Sequence, residues 1–336
     1  MKKRARIIYN PVAGRELIKR SLPDILEVYE KAGYETSAFC TTPEEFSAEK
    51  EAERAAEAGV DLIIAAGGDG TIYEVVNGIA GLEKRPKVAI LPAGTTNDYA
   101  RALHIPRDNL VRAAEVILKN QSVHMDIGKV KTQEKMRYFV NIGAGGYLTE
   151  LTYDVPANMK ALFGNLAYFV KGAEMLPRVD SVPMKIEYDD GVYEGEASMF
   201  FVALTNSVGG FEEVAPDKKA GDGKFTLIVV KTGNLLEIFR LITLMMNGGK
   251  HMNHRNILYV KTNSIKAQAL DNSRLLVNID GEYGGESPAE FINLPQHIEM
   301  FADVEAMQLD SEDNQFEVDA MEEAFIKQVD ELEKRT

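Results

Sequence analysis

Apolar and polar positions fall into two regimes along this chain. Up to about residue 125, short apolar runs alternate with longer stretches of helical spacing. Ala5–Tyr9, Tyr34–Phe39, Asp61–Ala66 and Lys87–Leu91 predict strands. Between them, Leu17, Ile18, Leu22, Ile25, Leu26 and Tyr29 mark a helix stopped by Gly33. Pro43–Ala58 predicts a charged, alanine-rich helix closed by Gly59, Tyr73–Ile79 a third helix and Asp108–Lys119 a fourth. Strands and helices alternating through short connections predict an α/β domain, a parallel sheet with helices on both faces. Beyond residue 125 the runs shorten. Asp126–Val130, Tyr138–Ile142, Met184–Tyr188, Met199–Leu204, Phe225–Val230, Ile257–Lys261, Ile265–Ala269 and Leu275–Ile279 predict strands separated by turn residues. That is the pattern of a β-rich sandwich or barrel. Asn158–Leu176 and Leu235–Met246 are its helical exceptions, and a tail with weak helical spacing (Phe316, Met321, Phe325, Val329, Leu332) follows. The expected division is an α/β domain over 1–125, a β-rich domain over 126–302 and a tail over 303–336.

In a parallel sheet the loops after the strands' carboxyl ends share one crevice, where ligands bind. Three such loops here are rich in Gly, Asn, Asp and Thr: Asn10-Pro11-Val12-Ala13-Gly14, Gly67-Gly68-Asp69-Gly70-Thr71 and Gly94-Thr95-Thr96-Asn97-Asp98. A strand, a glycine turn and a helix start suit phosphate, because backbone N–H groups crowd in where no Cβ blocks them. The loop is neither the Gly-Lys-Ser/Thr phosphate loop nor the G-x-G-x-x-G fingerprint. Asp69 in its middle would repel phosphate unless a cation lay between them, which points to a magnesium–nucleotide ligand. One Gly-Asp-Gly can be an ordinary turn; three polar loops on one rim make a nucleotide site. The second half carries two acidic turns, Gly221-Asp222-Gly223 and Asp280-Gly281-Glu282, and Asp-Gly is also the strongest hairpin dipeptide.

Charge narrows the partners. Lys and Arg number 38 against 52 Asp and Glu, a net of −14, which argues against general nucleic-acid binding. From Asp303 onward twelve acids face three bases, while the start is basic through Lys2, Lys3, Arg4, Arg6, Arg15, Lys19 and Arg20. An acidic protein can thus still offer a local cationic surface. The single cysteine, Cys40, fits a reducing compartment, and no export signal or bilayer-length apolar stretch is read. A cytoplasmic protein able to touch membranes is expected. Asn158–Arg178, with Phe163, Tyr168, Phe169, Lys160 and Lys171, can lie on an anionic membrane or pack on the sandwich.

On Tyr9-Asn10-Pro11 with Gly14, Gly67-Gly68-Asp69-Gly70-Thr71, Pro92 through Asp98, Asp217 through Phe225, and Asp280-Gly281-Glu282-Tyr283-Gly284-Gly285, the sequence resembles the diacylglycerol kinase catalytic-domain family, in particular its soluble Gram-positive members. The resemblance extends to about residue 302. It implies an α/β nucleotide domain followed by a β-rich domain, an architecture shared with sphingosine kinases and, more distantly, NAD kinases. It implies ATP on Asn10, Pro11, Val12, Ala13, Gly14, Thr41, Gly67, Gly68, Asp69, Gly70, Thr71, Ile72, Tyr73 and Thr95. Asp69 would reach the nucleotide's Mg2+ through water, in a network with Asp98 and Asp222. A second, structural Mg2+ would sit on the Asp222 carboxylate and the main-chain oxygens of Lys219 and Lys224. Asp280 and Glu282 are the implied bases, and Arg15, Arg20 and Lys171 the implied membrane contacts. A homodimer, diacylglycerol in an anionic membrane as acceptor and phosphatidate as product are also implied. One position departs from the family pattern: the residue after Gly70-Thr71-Ile72, usually Asn, is Tyr73 here.

Phosphoryl transfer needs the γ-phosphate held in line, its charge neutralised, and an acceptor for the hydroxyl's proton. The glycine loops, Asp69 with its cation, and the Asp280/Glu282 turn are expected to supply these; sequence does not choose between the two acids. Three alternatives share the nucleotide site: a kinase for another lipid alcohol such as sphingosine or ceramide, an NAD kinase, and a non-catalytic nucleotide-binding module. The retained carboxylates speak against the module, since a pure binder has no use for a base.

Overall fold

The computed structural model describes residues 2–146, 181–204, 222–231, 254–271 and 273–307. The helices expected over 158–176 and 235–246, and almost all of the tail, lie outside them. In the first half, strands β1 (Lys3–Tyr9), β2 (Tyr34–Cys40), β3 (Leu62–Gly67) and β4 (Lys87–Pro92) pair in parallel in the order β2-β1-β3-β4. Helices α1 (Leu17–Lys31), α2 (Ser47–Glu57), α3 (Asp69–Ala80), α4 (Asp98–Ala102) and α5 (Leu110–Glu115) connect them. β3 is buried at every residue, as a strand covered on both faces must be. The helices pack as two pairs, α1 with α5 and α2 with α3. Gly78 makes the second pair possible: a Cβ there would stand 2.3 Å from the Glu49 carbonyl oxygen.

The expected 108–119 helix is shorter than its periodicity. Asn109 caps α5 by accepting from the Val111 and Arg112 amides, and Val116–Lys119 tightens into a 3-10 turn. α2 starts late because Phe46 takes a left-handed conformation, φ 60°.

The second half is a sandwich. One face is β5 (Ser122–Lys131), β6 (Met136–Phe139), β8 (Val182–Tyr188), β9 (Gly191–Ala197), β13 (Ser264–Ala269) and β16 (Ala289–Phe301). The other is an antiparallel sheet in the order β12-β11-β10-β7-β14-β15. Its strands are β7 (Ile142–Gly146), β10 (Met199–Ala203), β11 (Phe225–Val230), β12 (Ile257–Thr262), β14 (Leu276–Ile279) and β15 (Glu282–Glu286). Phe139, Phe200, Phe225 and Phe291 pack between the faces, Phe139 and Phe225 with centroids 5.8 Å apart.

The two halves share a sheet. β16 runs antiparallel to β5 and then joins β4 in parallel at Met300 and Val88. Ile298, Met300, Phe301 and Ala302, assigned by sequence to the second domain, are therefore buried in the core of the first. The expected 125/126 division falls inside β5. β9, β15 and β16 are absent from the sequence reading: β9 and β15 carry few apolar residues, and Pro295 sits where β16 shifts register between Leu294 and Ile298. Among the described residues no helix is long and apolar enough to cross a membrane.

Candidate functional site

The three polar loops meet, as strands of one parallel sheet require. Asn10 ends β1 by donating its amide to Ala66 (2.9 Å), and its side chain accepts from the Val12 amide (3.1 Å). Gly14, at φ 58°, abuts Ala93, where a Cβ would stand 3.3 Å from the Ala93 Cβ. The Thr41 amide bonds the Tyr9 carbonyl, placing it beside the first loop. Gly68 is the extended residue before α3, and Asp69 and Gly70 open the helix. Gly67 lies against Thr71, and a Cβ on Gly94 would stand 2.6 Å from the Gly68 Cα, so only paired glycines allow this approach. Asn97 takes φ 50° and bonds Gly94 in both directions, at 2.8 and 2.9 Å.

Asp69 binds the second loop to the third. Its Oδ2 accepts from Thr96 Oγ1 (2.8 Å) and the Asn97 amide (3.0 Å). Its Oδ1 is buried with no hydrogen-bond partner among the described residues. A buried carboxylate oxygen without a donor carries a large desolvation cost, and a cation satisfies it. Asp98 is buried directly behind, Thr95 is exposed on the rim, and the side chain of Ile72 is buried in the first core.

The acidic turn of the second half is a two-residue hairpin. Ile279 pairs with Glu282, and Asp280 and Gly281 have φ of 51° and 92°, the signature of a type I′ turn. The carboxylate of Asp280 points inward: Oδ2 accepts from the Val140 amide (2.6 Å), Oδ1 from those of Asn141 and Ile142 (2.9 Å each). This explains why the expected 138–142 strand is broken into β6 and β7. Burial pushes the Asp280 carboxyl up to about 6; the three N–H groups oppose this, and the negative charge of Asp69 adds to it. The hairpin therefore lies within electrostatic reach of the nucleotide loop. Glu282, by contrast, is exposed at the first position of β15.

α3 spans the junction. Asp69, Tyr73 and Asn77 are four residues apart and line one face. Tyr73 is buried and belongs to the second core, the cluster that also holds Val130, Phe139 and Ile279. Asn77 exchanges two hydrogen bonds with the main chain of Tyr138, both 2.9 Å, and gives a third to the Tyr73 carbonyl. Asn77 thereby covers the outer edge of β6, one residue pair from the amides that hold Asp280. Arg137 on β6 clamps Glu49 of α2 with bonds of 2.7 and 2.9 Å and lies over the Phe46 ring. Glu74 holds the start of α2 through the Ala48 amide (2.8 Å), and burial raises its pKa.

Asp126, which sequence did not single out, is buried on β5 and accepts from the Gly223 amide (2.7 Å) and the Gln296 amide (2.8 Å). An acid between Met125 and Ile127 in an apolar run was the available signal. The hydroxyl of Tyr99, next to Asp98, is buried without a partner among the described residues; burial raises its pKa strongly, with the charges of Asp280 and Asp126 adding to the rise. Asp222 stands at the turn that Asp126 holds. Its Oδ1 accepts from the Lys224 amide (3.0 Å) and its Oδ2 faces Lys261 Nζ at 4.0 Å. Lys219 and Lys171 lie outside the described residues. No group of three or more His, Cys, Asp and Glu able to hold a metal occurs among the described residues. Arg20 is exposed on α1 beside the exposed Leu17, with Val12 73 % exposed one loop earlier and Arg15 between them in sequence.

Residues 4–130 match the diacylglycerol kinase catalytic domain, and residues 142–302 match the YegS C-terminal NAD kinase beta sandwich-like domain. A protein named diacylglycerol kinase from Staphylococcus epidermidis is 50% identical over 301 residues, 90% of this chain and 92% of that protein. One of the same name from Staphylococcus aureus is 50% identical over 302 residues, 90% of this chain and 93% of that protein. A solved structure described as a diacylglycerol kinase from Bacillus anthracis superposes with a TM-score of 0.72 at 30% identity, covering 90% of this chain and 97% of that one. With the glycine loops, the α/β and β-sandwich pairing and the acid hairpin all present, the chain belongs to the diacylglycerol kinase family.

Proposed function

We propose that this enzyme transfers the γ-phosphate of ATP to diacylglycerol at an anionic membrane surface, giving phosphatidate. The observation that carries this reading is the meeting of two unlike features at one junction. A glycine-lined loop with an orphaned carboxylate oxygen at Asp69 opens the helix that reaches into the core of the other lobe, and the charge of Asp69 is felt at that lobe's acid turn. The first suits a nucleotide held with a cation, the second an alcohol that must lose a proton.

The loop amides around Gly14, Gly68–Gly70 and Thr95 bind the phosphates, and the glycines admit their close approach. Asp69 Oδ1 fits Mg2+ carried by the nucleotide; when bound, that ion neutralises charge on the transferring group. Thr96 and the Asn97 amide fix the direction of the Asp69 carboxylate. Asp280 is saturated by three amides, so its part is to orient the hairpin. Glu282, exposed beside it, is the base. As the acceptor oxygen bonds to Pγ, its proton passes to the Glu282 carboxylate and the bond from Pγ to the ADP oxygen breaks. A positioned base of this kind contributes roughly a hundredfold to ten-thousandfold. Exposed Val12 and Leu17 beside Arg20 support membrane docking, apolar side chains entering the interface and the base meeting lipid phosphates.

The test is ATP turnover with vesicles containing diacylglycerol, with vesicles lacking it, and with NAD. Turnover stimulated by diacylglycerol, with phosphatidate formed, is expected. Stimulation by NAD alone, or by neither, would overturn the proposal.

A further inference from the structure

Tyr73 joins the two lobes. It lies one turn beyond Asp69 on the helix that opens at the nucleotide loop, yet only 3% of it is exposed, within the core of the opposite lobe. The cluster it joins also contains Ile279, the residue before Asp280. A phenol sunk in a core ordinarily finds a partner for its hydroxyl. Among the described residues, the Tyr73 hydroxyl has no hydrogen bond. Burial raises its pKa, Arg137 opposes the rise, and Asp280, Glu282 and Glu49 add to it. The phenol therefore keeps its proton and has a donor to give, one helical turn from Asp69 and within reach of the charges of the hairpin acids.

We propose that Tyr73 is a further catalytic residue, donating its O–H to the alcohol oxygen that attacks phosphorus. This rests on the phosphotransfer reading above and adds a third contact to the reacting hydroxyl. An alcohol oxygen has one proton and two lone pairs. With the proton directed to Glu282 and one lone pair to Pγ, the second lone pair accepts from Tyr73. The three directions together fix the oxygen's orientation, which a base alone leaves free to rotate. Tyr73 gains and loses no proton in the step: the hydroxyl proton goes to Glu282, the O–P bond forms and ADP leaves. The position also suits the face on which it lies. Asp69 and Tyr73 are successive members of one helical stripe, so the cation's carboxylate and the acceptor's donor move as one rigid piece.

The experiment compares wild type with Tyr73→Phe, which keeps the ring in the core and removes only the hydroxyl. Steady-state transfer is measured with MgATP and diacylglycerol in anionic vesicles, alongside MgATP affinity and thermal unfolding. The proposal expects kcat/KM for diacylglycerol to fall about fivefold to tenfold, in the range of one hydrogen bond. KM for ATP and the unfolding midpoint stay unchanged. Wild-type kinetics in the variant would overturn the proposal, as would a loss confined to stability or ATP affinity. If wild type itself phosphorylates no diacylglycerol, the proposed function fails, and the phenol is tested with water as acceptor. Slower MgATP hydrolysis by the variant would then uphold its role, and equal hydrolysis would refute it.

Discussion

Replacing Asn77 by Ala tests how the two lobes are joined. In the native protein its carboxamide gives and takes one hydrogen bond with the Tyr138 main chain and gives another to the Tyr73 carbonyl, all at 2.9 Å. Alanine removes all three and leaves two peptide groups of Tyr138 without partners on the outer edge of β6. A part-buried polar group stranded in this way costs about 1–3 kcal/mol. Tyr138 is half-buried, so entering water relieves some of this, and the expected total is about 2–4 kcal/mol. Asn77→Asp separates hydrogen bonding from shape. It keeps the acceptor for the Tyr138 amide but turns an oxygen towards two carbonyl oxygens. Urea unfolding, followed by fluorescence of the tyrosines and by circular dichroism, measures both variants. The account expects each to lose at least 2 kcal/mol, since neither can donate. An Asp variant as stable as wild type, or an Ala variant within about 0.5 kcal/mol of it, would refute the claim that these bonds hold α3 to β6.

Other outcomes follow from single contacts. Gly94→Ala places a Cβ 2.6 Å from the Gly68 Cα and 2.8 Å from Asn97 Oδ1, so the second and third loops must part. MgATP affinity, by calorimetry, should weaken about tenfold or more, while an affinity equal to wild type would place the nucleotide elsewhere. Asp280 sets a pH dependence of stability in the metal-free protein. Its carboxyl titrates at about 6 when folded against 3.8 ordinarily, so between these values the folded state holds a proton the unfolded chain has released. Stability should therefore fall as pH rises from about 4 to about 6, by up to about 3 kcal/mol from this group. Urea unfolding across that range should show the Asp280→Asn variant without this component; an identical slope in both proteins would contradict the assignment.

The parallel half of the fold was legible because helical and strand periods alternate there with little ambiguity, down to the meeting of the three polar loops on one rim. The sandwich core was equally visible in its apolar strands. What sequence did not reveal follows from long-range pairing. β16 contains Asn293, Pro295 and Gln296, which read locally as a turn, and only its ladder with β5 keeps it a strand. The break between β6 and β7 arises because Asp280, far along the chain, draws three successive amides to itself. At the site, the Asp-Gly turn legible in the sequence is the hairpin that aims Asp280 inward and leaves Glu282 exposed. Tyr73 stood out in sequence as a departure, and its burial in the opposite lobe could not be read from a helix that is apolar on most sides.

The central claim is that an acid from the second lobe acts on ATP held by the first. Glu282→Gln tests it most directly, through transfer of the labelled γ-phosphate from ATP to diacylglycerol with MgATP affinity measured on the same protein. The account predicts a rate at least about a hundredfold below wild type with affinity unchanged. Transfer at the wild-type rate by the Gln variant would contradict it.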